Sequence, residues 1–232
     1  RAAIGRSWGQ GAQHSQALHS FFMHVPGIKV VAPSLASDAK SAIISSIRDN
    51  NPVVFVEHRM LYNLQEHVSE NSNILEVGKA RILRHGSDIT IVGISHMVIE
   101  SLRAHKHLES KGISAEIIDP IWLSPLDIDT IVSSVEKTGS LLVVDSAWLN
   151  CGASAEIAMQ VVERLQKNKN IKVERAGFAE TPCPTTKILE NLFYPNSLTI
   201  AEQAYNMIFP DSEPWIPEGK EAEEITDFKG PF

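Results

Sequence analysis

Residues 28–56 read IKVVAPSLASDAKSAIISSIRDNNPVVFV, and this stretch decides the predicted fold. Residues 28–32 and 53–56 are short and rich in β-branched side chains, which favours buried strands. Between them, residues 37–48 place apolar side chains at helical spacing. Another helix is predicted upstream at residues 15–25, where Pro26 and Gly27 end the apolar periodicity. Helices alternating with strands indicate an α/β fold with a mainly parallel sheet.

The remainder of the chain continues this alternation after a polar interval. Strands are predicted at residues 89–92, 115–118, 141–144 and 171–175, and helices at 97–111, 126–137, 154–167, 185–192 and 197–209. We therefore divide the chain into a first domain (1–62), a linker (63–76), a second domain (77–209) and an acidic, Pro-rich tail (210–232).

Composition excludes several classes of protein. The formal net charge of −7 argues against nucleic-acid binding, which needs clustered Lys and Arg. No apolar stretch is long enough to cross a membrane. Cys151 and Cys183 are too far apart in sequence to suggest a metal motif or a disulfide framework, so we expect a reducing compartment. Because the chain starts with Arg1 inside a sequence pattern, we expect it to be a fragment of a longer protein.

The segment Gly9-Gln-Gly-Ala-Gln-His-Ser15 places a histidine where a Gly-rich loop enters a predicted helix. Backbone amides at such a position favour nearby negative charge, which predicts a neutral His14 able to transfer a proton. The alternative is a capping turn with a merely exposed histidine, and Gly-x-Gly alone does not decide between them. His19 and His24 are not expected to form a metal site with His14, since steps of five residues scatter around a helix.

Residues 46–52 end a predicted helix and enter a strand, so the last carbonyl groups lack partners within the helix. Free carbonyl oxygens attract cations. The alternative is an ordinary helix end, satisfied by water and by side chains such as that of Arg48.

Several motifs together resemble the beta subunits of pyruvate and branched-chain 2-oxoacid dehydrogenases, which are transketolase-like thiamine enzymes. The motifs are residues 11–16 (GAQHSQ), 26–33 (PGIKVVAP), 46–52 (SIRDNNP), 124–127 (SPLD), 152–156 (GASAE) and 180–184 (ETPCP). The resemblance implies a partial pyrimidine-binding domain followed by a transketolase C-terminal domain. It also implies that the missing amino-terminal part carries the glutamate that activates the cofactor, so the fragment alone should be inactive.

The resemblance further implies site residues and cofactors. His14 is identified as the active-site histidine directed at thiamine diphosphate, which is bound with Mg²⁺ and shared with an alpha subunit. The remaining cofactor-binding residues are expected upstream of Arg1 and on that alpha subunit. A structural potassium ion is implied at the backbone carbonyls of Ser46, Ile47, Asp49 and Asn51. Glu180 is the candidate residue for partner docking.

The expected partners are an alpha subunit in an alpha2beta2 heterotetramer, or a second fragment in a homodimer, and a dihydrolipoyl acyltransferase core. The expected compartment is the cytoplasm in a bacterium or the mitochondrial matrix in a eukaryote. Two features depart from the family pattern and leave the substrate and the docking partner open. Residues 120–123 (PIWL) replace an arginine-containing turn, and the acidic tail is longer than usual.

The predicted activity is oxidative decarboxylation of pyruvate or a related 2-oxo acid, with acyl transfer to lipoamide. A related hypothesis keeps the thiamine chemistry with another acceptor or substrate, as in acetoin cleavage or biosynthetic aldehyde transfer. A hypothesis from a different functional class is that the chain is a non-catalytic assembly module. A glutamate-bearing pyrimidine domain in the full-length gene would support an enzyme, and its absence would support the module.

Overall fold

The computed structural model of the chain describes residues 1–6, 9–70, 74–167 and 169–219. The strands are β1 (Ala2–Ile4), β2 (Lys29–Val31), β3 (Val53–His58), β4 (Arg81–Arg84), β5 (Ile89–Gly93), β6 (Ala115–Asp119), β7 (Trp122–Ser124), β8 (Ser140–Trp148) and β9 (Lys172–Phe178). The α-helices are α1 (Gly11–His14), α2 (His19–Met23), α3 (Ala36–Arg48), α4 (His96–Glu109), α5 (Ile128–Thr138), α6 (Ala153–Leu165), α7 (Lys187–Phe193) and α8 (Ser197–Ile208). Arg59–Leu61 forms a 3-10 turn.

Two mainly parallel sheets confirm the predicted α/β fold. The first is four-stranded in the order β1-β3-β2-β7, and the second is five-stranded in the order β4-β6-β5-β8-β9. β4 and β7 are the antiparallel members. β7 follows β6 of the second sheet in sequence but pairs with β2 of the first sheet. The edge strand of the first sheet is therefore supplied by residues 122–124, which come after the 63–76 interval in sequence.

One buried apolar cluster joins the two sheets. It contains Val30 and Val56 from the first sheet together with Val92 and Val143 from the second. Branched side chains in near-continuous runs are typical of parallel strands that are covered on both faces. The β-branched stretches that predicted these strands are therefore the same residues that hold the two sheets together.

The predicted helix at residues 15–25 was wrong in its extent. The structure has two short helices, α1 and α2, separated by residues 15–18. The carbonyl of His14 accepts a hydrogen bond from Arg59, and the carbonyl of Gln16 accepts one from the Gly5 amide. Because these acceptors are occupied by tertiary contacts, the helical hydrogen-bond ladder does not run through this segment.

The described part of the tail, residues 210–219, folds back onto the second domain. The Trp215 ring packs beside Tyr205 of α8, and the Lys111 ammonium lies 5.3 Å from the Trp215 ring centre. Residues 220–232 of the predicted acidic tail lie outside the described residues. Among the described helices, none combines the length and apolar character needed to cross a bilayer.

Candidate functional site

His14 is the last residue of α1, and its side chain is exposed. The sequence placed it at the entrance to a helix, whereas the structure places it at a helix end. Within the part of the chain that the structure describes, the His14 imidazole makes no hydrogen bond or ion pair with another residue. The ring is therefore open to a group outside the chain.

The segment that carries His14 lies where strands of the first sheet end. Gly5 directly follows β1, and Arg59 directly follows β3. The Nη1 atom of Arg59 donates to the carbonyl oxygens of Gly5 at 2.6 Å and His14 at 2.9 Å. Ligands of parallel α/β sheets bind beyond the carboxyl ends of the strands, so His14 has the location expected for a site residue.

The second domain contributes the opposite side of this segment. Glu190 of α7 is fully buried, and its two carboxylate oxygens accept from the Gly9 amide at 3.2 and 3.3 Å. A Cβ atom at Gly11 would lie 2.9 Å from the Thr185 methyl group, so glycine is required for this close approach. The 9–14 segment thus lies between the end of β3 and the region that follows β9.

A group of buried polar side chains from separate parts of the chain lines a small cavity. The rings of His58 and His96 stack with centroids 4.8 Å apart, and Arg6 lies over the Tyr194 ring. Burial lowers the pKa of His96 to about 3 and lowers the pKa of His58 well below its usual value. Both rings are therefore neutral at physiological pH, and no local sequence pattern indicates that they lie close together.

His19 is also buried and plays a different part from His14. Its Nε2 atom lies 2.9 Å from a carboxylate oxygen of Asp145, and both side chains are essentially inaccessible to solvent. Burial alone would lower the pKa of His19, but the charge of Asp145 and their hydrogen bond raise it. The pair joins α2 to β8.

The turn proposed for potassium lies at the end of α3. The side chain of Asp49 pairs with the Lys29 ammonium and accepts from the Asn51 amide at 2.8 Å. The hydrogen bond from Lys29, followed by those from Asn51, lowers the pKa of Asp49 to about 2. Ser46 and Ile47 lie in the last turn of α3, where carbonyls lack partners within the helix. A potassium ion bound here by main-chain oxygens would be a second cation beside the Lys29 ammonium.

Glu180, the predicted docking residue, is exposed on the segment after β9, and its carboxylate lies 3.5 Å from the Asn150 amide nitrogen. The described residues contain no group of three or more His, Cys, Asp or Glu side chains placed to hold a metal ion.

The unusual 120–123 turn is buried rather than exposed to a substrate. Ile121 and Trp122 are fully buried, and the Ile121 amide donates to Asp119 at 2.8 Å. Asp119 also accepts from Ser34, and the nearby Asp38 pairs with Arg81. Burial raises the pKa of Asp119 to about 7, although its hydrogen bonds from Ser34 and Ile121 oppose this shift.

Asp119 should make folding dependent on pH. Its folded-state pKa of about 7 lies above the ordinary value of 3.8, so the folded chain binds the proton more tightly than the unfolded chain. This contribution is complete below about pH 4 and is lost as the pH rises through about 7. The wild-type free energy of unfolding should fall by roughly 4 kcal/mol over this pH range, and Asp119→Asn, which does not titrate, should lack that fall.

Urea unfolding of the wild-type chain and of Asp119→Asn at a series of pH values measures this effect. Asp88→Asn is the matched control, because Asp88 is a partly buried carboxylate that also accepts a hydrogen bond from a backbone amide, that of Ser114. Parallel curves for the wild type and Asp119→Asn would contradict the prediction.

Comparison with known proteins gives the family. Residues 78–200 match the family model for the transketolase C-terminal domain. The chain belongs to this family. Residues 3–65 match the transketolase pyrimidine binding domain, so the transketolase modules occur in the predicted order. A split-gene transketolase, recorded as an inactive beta4 tetramer, has the same fold, with a TM-score of 0.72 and 21% identity over 89% of this chain and 65% of that one.

Curated relatives share more sequence with this transketolase-family chain. The beta subunit of acetoin:2,6-dichlorophenolindophenol oxidoreductase from Cupriavidus necator is 42% identical, covering 88% of this chain and 60% of the relative. The pyruvate dehydrogenase E1 component subunit beta of Staphylococcus epidermidis is 41% identical, covering 82% and 59%. Its Bacillus subtilis counterpart is 41% identical, covering 84% and 60%. The chain thus spans about three-fifths of the length of these relatives.

Proposed function

We propose that this chain forms the larger part of the beta subunit of a thiamine-diphosphate-dependent 2-oxoacid dehydrogenase of the pyruvate dehydrogenase type. With an alpha subunit, the whole protein would decarboxylate pyruvate or a related 2-oxo acid oxidatively and transfer the acyl group to lipoamide. The observation that carries the proposal is the position of His14 beyond the carboxyl ends of β1 and β3, with an exposed imidazole that makes no hydrogen bond or ion pair with the described residues.

The residues present suit a shared cofactor. Thiamine diphosphate, bound with Mg²⁺, would supply the electron-stabilising chemistry at the reacting carbon. His14 presents an imidazole ring, a group that can act as a general acid or a general base. Because the ring has no partner among the described residues, it is free to donate to or accept from a group held partly by another subunit.

A second candidate keeps the same histidine and changes the substrate. The relative from Cupriavidus necator is named for acetoin oxidation and is as similar to this chain as the pyruvate dehydrogenase subunits are. Acetoin cleavage would use His14 in the same role, with acetoin in place of a 2-oxo acid.

Turnover of the complete protein distinguishes these candidates. The protein carrying this chain is assembled with its alpha partner, thiamine diphosphate and Mg²⁺, and assayed with pyruvate, branched-chain 2-oxo acids and acetoin. Lipoamide and dichlorophenolindophenol serve as alternative acceptors. The highest kcat/KM for a 2-oxo acid with lipoamide supports the proposal, and preference for acetoin supports the second candidate. An intact assembly that turns over none of them would instead indicate a non-catalytic assembly module.

The proposal includes partners and a compartment. We propose an alpha2beta2 heterotetramer that docks to a dihydrolipoyl acyltransferase core, with Glu180 available as an exposed carboxylate on the docking face. The site would operate in the cytoplasm of a bacterium or the mitochondrial matrix of a eukaryote.

We also propose that potassium binds the carbonyls of Ser46, Ile47, Asp49 and Asn51. A ligand that binds only the folded chain raises stability by about 2.7 kcal/mol when present at 100 times its dissociation constant. The midpoint of thermal unfolding should therefore be higher in potassium chloride than in tetramethylammonium chloride of equal ionic strength. Equal midpoints in the two salts would argue against the site.

A further inference from the structure

We propose that Arg59 and Glu190 are positioning residues for His14, which they hold through the main chain at the two ends of the 9–14 segment. This inference rests on the proposed function, because it takes His14 to be the group that transfers a proton. It adds that Arg59 and Glu190, which come from different domains, together determine the position of the His14 imidazole.

The 9–14 segment has little ability to hold its own shape. The helix α1 contains four residues and begins without a side-chain cap. Helices this short are unstable by themselves, since nucleation fixes several dihedral angles for very few hydrogen bonds. Gly9 and Gly11 have φ angles of +70° and +64°, which glycine adopts readily. Glycine also has more conformational freedom in the unfolded chain than other residues, so ordering this segment costs more entropy. The position of His14 must therefore be imposed by neighbouring elements.

Arg59 provides the restraint at the carboxyl end of the segment. One nitrogen of its guanidinium group donates to the carbonyl of His14 itself and to the carbonyl of Gly5. Hydrogen bonds from a charged donor are shorter and stronger than those between neutral groups. Since Arg59 and Gly5 directly follow β3 and β1, this contact fixes the His14 main chain to the paired ends of two strands.

Glu190 provides the restraint at the amino end. Its carboxylate is fully buried in the second domain and accepts a hydrogen bond from the Gly9 amide. Burial raises the pKa of Glu190, while the Gly9 hydrogen bond and the charge of Arg6 act in the opposite direction. A buried carboxylate is unfavourable without compensation, so the Gly9 amide, together with the charge of Arg6, stabilises Glu190 in its buried position. The segment is thereby held against α7 as well as against β3.

The test uses the complete protein assembled with its alpha partner. Glu190→Met and Arg59→Met remove each contact at nearly constant side-chain length, and Glu190→Gln and Arg59→Lys retain part of it. Glu163→Met and Arg84→Met, at exposed sites on α6 and β4, are the matched controls.

We expect each disruptive variant to lower kcat by roughly 10- to 100-fold, since displacement of a reacting group by about 1 Å has effects of that order. The KM and the affinity for thiamine diphosphate should stay within about twofold of wild type, and the conservative variants should recover part of kcat.

A double-mutant cycle separates positioning from general structural damage. In a His14→Ala background, Glu190→Met and Arg59→Met should have no further effect on kcat, because the group that they position is gone. Equal losses in both backgrounds would overturn the proposal. Amide hydrogen exchange across residues 9–15 should accelerate in the disruptive variants and stay unchanged in the controls.

The outcomes also separate this inference from the proposed function. Full turnover of His14→Ala would overturn the catalytic role of His14 and the positioning role with it, whereas the proposed activity is overturned only if the intact assembly turns over none of the substrates. A large loss in His14→Ala, with none in Glu190→Met or Arg59→Met, would overturn the positioning role alone. If a methionine variant fails to assemble, the glutamine and lysine variants decide: unchanged kcat and unchanged exchange at residues 9–15 would overturn it.

Discussion

His14→Ala is expected to lower turnover of the assembled enzyme by roughly 10²- to 10⁴-fold, the range that a positioned acid or base contributes. Binding of thiamine diphosphate should be largely unaffected, because the exposed His14 ring makes no hydrogen bond or ion pair with the described residues whose loss would disturb the fold. Steady-state kinetics and cofactor titration of the same preparation measure the two effects separately.

The chain offers a matched control for this experiment. His24 is another exposed histidine and follows the short helix α2. His24→Ala should keep wild-type turnover. His14→Gln tests the nature of the role, because glutamine donates a hydrogen bond but does not exchange a proton near neutral pH. If His14→Ala assembled normally and retained full turnover with its natural substrate, His14 would be an exposed loop residue without a catalytic role.

The regular elements were predictable from the sequence because their signals are local. Helix α3 and strands β5 and β6 lie within a residue or two of their predicted bounds, since each has an uninterrupted apolar pattern. Strands β1, β4 and β7 were not predicted. Each has only three or four residues and is defined by pairing with β3, β6 or β2, which no local pattern indicates.

The surroundings of the candidate site were not predictable for a related reason. Glu190 and Gly9 are 181 positions apart, and His19 and Asp145 are 126 apart. Hydrogen bonds of this kind depend on how the two sheets pack, whereas periodicity reports only neighbours along the chain. The sequence did indicate His14, but through family resemblance rather than through a spacing rule.

The buried pair of His19 and Asp145 should be a major determinant of stability. Removing one member of a buried ion pair leaves the other charge without compensation and typically lowers stability by about 3–5 kcal/mol. That is a large fraction of the roughly 5–15 kcal/mol that stabilises an ordinary domain. We therefore expect His19→Leu and Asp145→Leu each to lower the free energy of unfolding by about 3 kcal/mol or more.

The double variant should be less damaged than the sum of the two single variants. With both side chains apolar, no charge remains buried, and such replacements are often neutral in cost. Urea unfolding of the four chains gives the coupling energy. The exposed pair of Arg164 and Asp129 is the control, and Asp129→Leu should change stability by no more than about 1 kcal/mol.

The pair should also respond to pH in a fixed direction. Because the pKa of His19 is raised in the folded chain, its contribution is complete below the unfolded value of about 6.5 and is lost as the pH rises through the folded pKa. The stability difference between the wild type and His19→Leu should therefore be larger near pH 6 than near pH 9. Taking this difference isolates His19 from Asp119, which titrates in both chains. A difference that is constant over this range would show that His19 is neutral in the folded chain and that its contact with Asp145 is an ordinary hydrogen bond.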